Sequence, residues 1–391
     1  MSSLALAAVL LGAALLASML SVEIGLSVAL IELGLGIVIG NVLHVMPPDW
    51  LVFIAGFAGI VLTFLAGAEV DVPQLRREWR ASVSIGVVSF VGPFVAATAV
   101  AYWALGWSGD AAKIGGIALS TTSLAVVYSV LVETGLNRTV VGKRIMAATF
   151  VTDLATATAL SILFITPNAW FVVFAAASVA LVFGLPRVAP SFFRRFGDRV
   201  IEPEIKLAFA SLLLLMWLGA KANSQAVLPA FVLGLALSSH YTKHRQEQER
   251  LRVVAFAFLT PLFFLRGGMS VSVSALWANL GILALLFLAK LLPKLAGVYP
   301  LARRYCAPHA AFTTLLMSTG LTFGTISALF GLNHGIIDQR QYSFLVATVI
   351  GSAVVPTMIA NAYFLPRHLL PAASMPEVEP ETGLASRAVA D

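Results

Sequence analysis

Residues 141–165 read VGKRIMAATFVTDLATATALSILFI, and this stretch already indicates the class of protein. A helix needs about 20 mostly apolar residues to cross the hydrocarbon of a bilayer, and the stretch is long enough. Near its middle lies one carboxylate, Asp153, among small and hydroxyl-bearing neighbours. An ionisable group at that depth costs about 3 kcal/mol or more and by default indicates a substrate path. The stretch therefore predicts a membrane helix that carries a functional centre.

The composition of the whole chain agrees with a membrane protein. Of 391 residues, 59% are hydrophobic and 11% are charged, against roughly a quarter charged in ordinary soluble domains. The apolar runs are long and continuous, whereas strands of a membrane barrel alternate apolar and polar residues. One cysteine, Cys306, excludes an intramolecular disulfide and a multi-cysteine metal site. The sequence thus predicts an all-α polytopic membrane protein.

Apolar windows between charged, proline-rich or glycine-rich breaks predict about thirteen membrane helices. They lie roughly at 4–20, 24–43, 51–69, 81–105, 111–132, 141–165, 169–184, 203–221, 225–239, 251–270, 275–301, 309–330 and 340–365. We therefore expect a transmembrane domain over 1–366. The segment 367–391 is rich in Pro, Ala and Glu, which predicts a disordered cytoplasmic tail.

The basic residues predict the orientation of the helices in the membrane. Taking alternate loops, 19 Lys and Arg lie on one side, 3 on the other, and 3 within the spans. Basic loops stay on the cytoplasmic side, so we expect an outer N-terminus and a cytoplasmic C-terminus in the plasma membrane or bacterial inner membrane. The same loops explain the net charge of +6. A nucleic-acid partner is therefore not expected, and we expect the chain to be embedded in the lipid bilayer.

Away from the ends of the predicted spans, five ionisable residues lie inside them, namely Glu32, Asp153, Arg266, Lys290 and Lys294. Desolvation disfavours the charged form of a carboxylate, so Asp153 is expected to hold either a proton or a cation. The alternative is a structural aspartate that pairs with a lysine or caps a broken helix. Either lysine could instead extend along its helix to the membrane interface. Arg266 stays ionised, and Glu32 is a candidate partner for it.

Two predicted spans carry clusters of hydroxyl residues at mid-membrane. The clusters occupy 118–125 and 317–325, and their candidate ligands are Ser120, Thr121, Thr122, Ser318 and Thr322. Such stretches unwind in many transporters and expose carbonyls to a site, although small residues also serve helix packing. The two spans are the fifth and the twelfth, so they run in opposite directions. An inverted repeat with two broken crossing helices is therefore predicted.

Five motifs, in the same order along the chain, resemble the monovalent cation:proton antiporter superfamily. The resemblance is to its second branch, which includes Kef-type proteins and sodium/proton exchangers. The motifs are FLAGAEVD at 64–71, STTSLAVV at 120–127, Thr152-Asp153, PLFFLRGGMS at 261–270, and Lys294 followed by LARR at 301–304. In relatives Thr152 is Asp, Asn or Gln, the position of Arg266 is small or apolar, and that of Thr322 is acidic in Kef-type members.

The resemblance implies a fold, a division of the helices into a moving group and a static group, and an assembly state. Core helices at about 81–165 and 275–365 would move against scaffold helices at about 4–69 and 169–270, and the protein would be a homodimer. Thr152, Asp153 and Lys294 would lie at the cation and proton site, with Lys290 as a secondary candidate. We expect no regulatory domain of the Kef type, because only a short tail follows residue 366.

These observations predict exchange of a monovalent cation, Na⁺ or K⁺, for protons at Asp153. Na⁺ is a hard ion that suits carboxylate, hydroxyl and carbonyl ligands. Only one carboxylate is present, so the exchange is predicted to be electroneutral. The alternatives are a sodium-coupled organic-anion symporter and a Kef-like potassium channel. The chain has no HExxH, P-loop or nucleophile-elbow motif, so neither an enzyme nor a cofactor is expected.

Overall fold

A computed structural model describes residues 2–24, 26–165, 168–196, 199 and 201–366, without the side chains of 132, 133, 138, 243 and 245. The predicted tail at 367–391 lies outside the described residues. The α-helices, in chain order, are α1 (Ser3–Ile24), α2 (Val28–Leu43), α3 (Asp49–Ala68), α4 (Val72–Arg77), α5 (Trp79–Ala99), α6 (Gly109–Ser120), α7 (Leu124–Glu133), α8 (Val140–Leu163), α9 (Trp170–Phe196), α10 (Pro203–Lys221), α11 (Val227–Lys243), α12 (Arg245–Val254), α13 (Thr260–Met269), α14 (Val273–Trp277), α15 (Leu280–Tyr305), α16 (Ala310–Met317), α17 (Thr322–Asn333) and α18 (Gln339–Tyr363). Short π-helical turns extend α5 over Val100–Ala104 and join α12 to α13 over Ala255–Leu259.

These helices confirm the predicted all-α membrane fold. Within the described residues, 11 helices are long and apolar enough to cross a bilayer. Two shorter apolar helices, Val28–Leu43 and Val227–Thr242, would complete the predicted thirteen. The exact number of spans therefore stays a prediction. The helix predicted at 169–184 continues to Phe196, because Pro186 and Pro190 lie inside it without ending it.

Two of the membrane helices are broken at the predicted hydroxyl clusters. The first break, Thr121–Ser123, separates α6 from α7, and the second, Ser318–Leu321, separates α16 from α17. Ser120 Oγ donates to Ile117 O at 2.9 Å, and Ser318 Oγ donates to Thr314 O at 2.8 Å. Hydroxyls that bond the preceding turn in this way compete with the helical ladder, which favours a break where several adjoin.

Close backbone contacts reveal the inverted repeat. A β-carbon on Gly36 of α2 would lie 2.2 Å from Leu265 O of α13, so only glycine fits there. A β-carbon on Gly234 of α11 would lie 2.0 Å from Phe64 O of α3. The reciprocal contacts are equally close, with Gly268 at 2.2 Å from Leu33 O and Gly67 at 2.1 Å from Phe231 O. The contacts between α2 and α13 thus repeat between α11 and α3, with Gly36 corresponding to Gly234 and Gly268 to Gly67. Corresponding residues are separated by nearly the same number of positions along the chain.

Gly234→Ala is expected to lower the thermal unfolding midpoint of the detergent-purified protein. The added methyl group would force α11 away from the backbone of α3, and such overpacking costs about 1–3 kcal/mol. Gly34→Ala is the matched control, because a β-carbon there meets nothing within 4 Å. An unchanged midpoint in Gly234→Ala would show that this contact tolerates a side chain.

The helices pack as two groups, and the breaks lie in one of them. The core group contains α5–α8 and α15–α18, in which α5 packs on α15 and α6 packs on α17. The scaffold group contains α1–α3 and α9–α13, in which α3 packs on α11 and α2 on α13. Movement of one group against the other stays a prediction. The predicted site residues lie in the core group, apart from Glu32 and Arg266.

Candidate cation and proton site

Asp153 lies on α8 in the interior of the core group and is 1% exposed. The neighbouring hydroxyls bond their own helix, since Thr152 Oγ1 donates to Thr149 O at 2.6 Å and Thr156 Oγ1 to Thr152 O at 2.8 Å. Asp153 Oδ1 is buried, and no described residue forms a hydrogen bond with it. Buried polar atoms nearly always have one, so this oxygen is suited to take up a proton or a cation.

Lys294 connects the two broken helices. Its Nζ donates to Thr121 O at 2.8 Å, to Met317 O at 2.8 Å and to Thr122 Oγ1 at 3.0 Å. Thr121 follows the last residue of α6, and Met317 is the last residue of α16. The carboxyl end of a helix carries a partial negative charge, so one ammonium group neutralises two such ends.

Lys290 lies one helical turn before Lys294, and it donates hydrogen bonds to the end of α6 and to the first helix break. Its Nζ donates to Leu119 O at 3.0 Å and to Thr121 O at 3.2 Å. A β-carbon on Gly320, in the second break, would lie 2.5 Å from this Nζ. Both lysines are fully buried. Neither therefore extends to the membrane interface, which was the alternative interpretation of each.

Asp153 and Lys294 are both buried in the core group. Among the described residues the two form no direct ion pair, and the ammonium group is held by the three acceptors at the helix breaks. The predicted place of Lys294 beside Asp153 stays a prediction. The functional roles of both residues remain proposals.

The remaining hydroxyl candidates form different hydrogen bonds where the two broken helices cross. Thr122 Oγ1 donates to Met317 O at 2.9 Å and so joins the first break to the end of α16. Thr121 Oγ1 donates within its own break, to Ala118 O at 3.3 Å. Ser120 and Ser318 are buried and bond their own helices, whereas Thr322 is the first residue of α17 and only half-buried.

Sequence reasoning missed Ser89 and the carbonyl of Met317. Ser89 Oγ on α5 lies 3.4 Å from Thr122 Oγ1 and donates to Met317 O at 3.4 Å. No motif in the sequence marked Ser89, which lies between apolar residues of the span predicted at 81–105. A backbone carbonyl leaves no signal of its own in the sequence, so Met317 could not be found.

The family of the chain follows from comparison with known proteins. The family model described as sodium/hydrogen exchanger, transmembrane, matches residues 6–364. The chain belongs to this family. The exchanger family comprises transporters, and the match covers both groups of helices. The predicted resemblance is thereby confirmed.

Individual relatives are distant but extend over most of the exchanger chain. The probable Na⁺/H⁺ antiporter 3 of Methanocaldococcus jannaschii is 24% identical over 84% of this chain and 88% of its own length. The Na⁺/H⁺-K⁺ antiporter GerN of Bacillus cereus is 26% identical over 89% of this chain and 93% of its own length. The solved sodium proton antiporter MjNhaP1 of M. jannaschii at pH 8 has a TM-score of 0.67 and 16% identity, covering 92% and 98% of the two chains. That likeness shows the fold.

Two cavities in the exchanger lie between the core group and the scaffold group. The larger, of about 450 Å³, opens among the basic loops. Its lining includes Glu69, Asp71, Glu249 and Phe150. Phe150 lies one helical turn from Asp153 and stacks on Phe231 of α11, with ring centroids 5.1 Å apart. The cavity at this basic end therefore reaches to within one turn of the candidate site.

One carboxyl group in the lining of this cavity, that of Glu69, has a pKa shifted by burial. Burial raises the pKa of Glu69, just beyond the end of α3, and the positive charge of Arg252 opposes that effect. Arg252 Nε lies 3.3 Å from Glu69 Oε1. The cavity lining thus combines acidic residues with the basic side chains Lys143 and Arg252.

Hydrogen bonds between the two groups lie at the end opposite to the basic loops. Tyr342 Oη donates to Gly267 O at 2.8 Å, and Leu228 N donates to Ser161 Oγ at 3.2 Å. Arg266, which is 5% exposed, donates from Nη2 to Asn333 Oδ1. Among the described residues Arg266 forms no ion pair with Glu32, the candidate partner, and Asn333 at the end of α17 accepts a hydrogen bond from the guanidinium instead. Glu32 is buried on α2, and its Oε2 has no hydrogen-bond partner.

Proposed function

We propose that this protein exchanges a monovalent cation, Na⁺ or K⁺, for protons by alternating access at Asp153. The observation that carries the proposal is the buried Asp153 Oδ1, which has no hydrogen-bond partner among the described residues and lies on a helix that packs against both broken helices. Protonated, the side chain is neutral, and ionised it is stable in the interior with a bound cation. The bare anion would be costly to carry across the membrane. Proton and cation therefore compete, and exchange follows.

The access path of this cycle runs through the cavity at the basic end. That cavity ends near Phe150, whereas hydrogen bonds such as Tyr342 Oη to Gly267 O join the two groups at the opposite end. We assign this arrangement to the state in which the site faces the basic loops. The other state requires the core group to part from α13 at the opposite end and to close on α11 at the basic end.

Membrane orientation and assembly complete the proposal. The basic loops would face the cytoplasm, which places the N-terminus outside and makes the described cavity the cytoplasmic entrance. The host membrane would be the plasma membrane or the bacterial inner membrane, and the assembly a homodimer, as the family resemblance implies. Relatives named Na⁺/H⁺ and Na⁺/H⁺-K⁺ antiporter support either cation as substrate.

Reconstitution of the purified protein into liposomes tests the function. With an imposed pH gradient and a pH-sensitive dye, we expect proton efflux when Na⁺ or K⁺ is added outside, with Li⁺ and choline as comparisons. Cation-driven current without proton movement would indicate a channel instead. Proton movement that needs an organic anion would indicate a symporter.

The exchange is expected to be electroneutral. Thr152 stands beside Asp153 where relatives carry a second ionisable or amide side chain, and its hydroxyl donates to Thr149 O. One carboxylate then alternates between one proton and one cation. A net charge moved across the membrane would be worth about 2.3 kcal/mol per 100 mV. The initial exchange rate should therefore not change when a potassium-diffusion potential is imposed on Na⁺-loaded liposomes. A potential-dependent rate would point to a second proton, carried by Lys294.

Thr122→Ala is expected to weaken the apparent cation affinity more than the maximal rate. The substitution removes the hydroxyl that joins Lys294 Nζ to Met317 O, so the two breaks lose a contact beside the site. Thr322→Ala should act in the same direction if its hydroxyl also serves the cation. Thr314→Ala is the matched control, because Thr314 Oγ1 bonds only the preceding turn, at Ala310 O. A changed rate with unchanged affinity would contradict a ligand role for Thr122.

A further inference from the structure

At the end of the molecule opposite to the basic loops lies a buried arginine that has no acidic partner among the described residues. Arg266 is 5% exposed, and its Nη2 donates to the neutral amide oxygen of Asn333. Its Nε is buried and has no hydrogen-bond partner. Guanidinium offers five N–H donors and keeps its proton, so the Nε–H is a charged donor that the described residues leave available. An ionised group buried without compensation is costly, and the fold must offset that cost.

The cavity next to Arg266 is suited to a small anion. It has a volume of about 200 Å³ and is lined by Arg266, Asn333, His334, Ser224 and Gln225 together with apolar side chains. None of its described lining residues is acidic. The cavity at the basic end, by contrast, is lined by Glu69, Asp71 and Glu249 together with Lys143 and Arg252. Carboxylates thus balance the basic side chains of that cavity, whereas the described lining of the smaller cavity has Arg266 without an acid.

The mouth of this cavity is open, and its base is charged. Asn333 and His334 are exposed at the end of α17, whereas Arg266 lies deeper, on α13. His334 Nδ1 bonds Phe330 O at 2.9 Å, which leaves its second ring nitrogen outside that contact. The exposed residues Asn333 and His334 thus form the polar part of the lining on the solvent side of Arg266.

We propose that this cavity is a binding site for a small monovalent inorganic anion, with chloride as the test ligand. The free N–H groups of Arg266 hold the anion, and the polar groups at the mouth admit it. Charge-assisted hydrogen bonds of this kind are the strong ones in proteins. The site lies between the core and scaffold groups and is separate from Asp153. The bound anion neutralises the charge of Arg266 at the end of the molecule opposite to the basic loops, where a transported cation would enter or leave.

Chloride binding can be measured directly by the ³⁵Cl NMR line width of the purified full-length protein in choline chloride. Choline is used so that no transported cation is present. We expect the wild-type protein to broaden the line beyond the detergent blank, and bromide or nitrate to reverse the broadening. Arg266→Gln should weaken chloride binding about tenfold or more, since a hydrogen bond to a charged group is worth about 1.5–3 kcal/mol. Arg266→Lys should retain part of it.

Two further variants make the test specific. Arg340→Gln is the matched control, because Arg340 also donates to an asparagine, Asn279, but on the exposed surface. It removes the same charge and should leave the broadening as in wild type. Gly56→Leu fills the cavity from α3, where a β-carbon meets only Met216 Cε at 3.6 Å, and it should reduce binding with Arg266 in place. No broadening by the wild-type protein, or equal broadening by wild type, Arg266→Gln and Gly56→Leu, would overturn the proposal. The outcome is independent of whether cation exchange occurs.

Discussion

Cation-dependent proton exchange is expected to disappear in Asp153→Asn. The amide has nearly the same shape, but it neither takes up a proton in the working pH range nor supplies charge for a cation. In the native protein Asp153 Oδ1 is buried without a hydrogen-bond partner among the described residues, so the substitution removes the group that is placed to take up a proton or a cation. The measurement is dye-reported proton flux in liposomes, and the expected rate is that of empty liposomes.

The interpretation of that result depends on two comparisons. Asp153→Glu keeps the charge and should retain part of the flux. Asp110→Asn is the control for loss of an acid, because Asp110 is exposed and pairs with Lys113 at 2.9 Å outside the site. Substantial Na⁺- or K⁺-driven flux in Asp153→Asn would move the proton and cation site elsewhere, with Glu32 as the next candidate to examine.

Lys294→Ala should move the pH of half-maximal exchange upward by about one unit or more. The ammonium group favours the ionised form of Asp153, and an opposite charge nearby typically has an effect of that size. Without it the carboxylate holds its proton more tightly, so a higher pH is needed before a cation can bind. The readout is the pH profile of exchange at a fixed cation concentration.

Lys290→Ala is the matched control for this prediction. Lys290 is equally buried, yet it bonds Leu119 O and Thr121 O and lacks the contact with Met317 O. Its removal should shift the profile less than the removal of Lys294. A shift in the opposite direction, or equal shifts for the two variants, would assign Lys294 to packing of the helix breaks rather than to the site.

Much of the fold was accessible from the sequence because membrane helices are specified locally. A run such as 141–165 predicts its own helix without reference to the rest of the chain. The hydroxyl clusters at Thr121 and Ser318 likewise predict their own breaks, since the competing hydrogen bonds are made to residues three or four positions away. The end of α9 was missed because a proline disfavours helix without forbidding it.

The sequence was less informative about which residues contact each other across the fold. It identified Arg266 as a buried cation but offered Glu32 as its partner, whereas α17 supplies Asn333, 67 positions later. It ranked Lys294 above Lys290, but it could not show that both donate to the carbonyl of Thr121. The close approach of Gly234 to Phe64 O also depends on how two distant helices cross.

By itself the sequence determined that the chain crosses a membrane as helices, where two of them break, and which carboxylate lies at membrane depth. These properties depend on the side chains within one segment and on the surrounding lipid. The tertiary structure alone decided that Lys294 joins Thr121 O to Met317 O, that Asp153 Oδ1 is left without a donor, and that Arg266 faces a cavity without acids. Each of these depends on contacts between helices far apart in the chain, where partners are chosen by packing geometry and not by neighbouring residues.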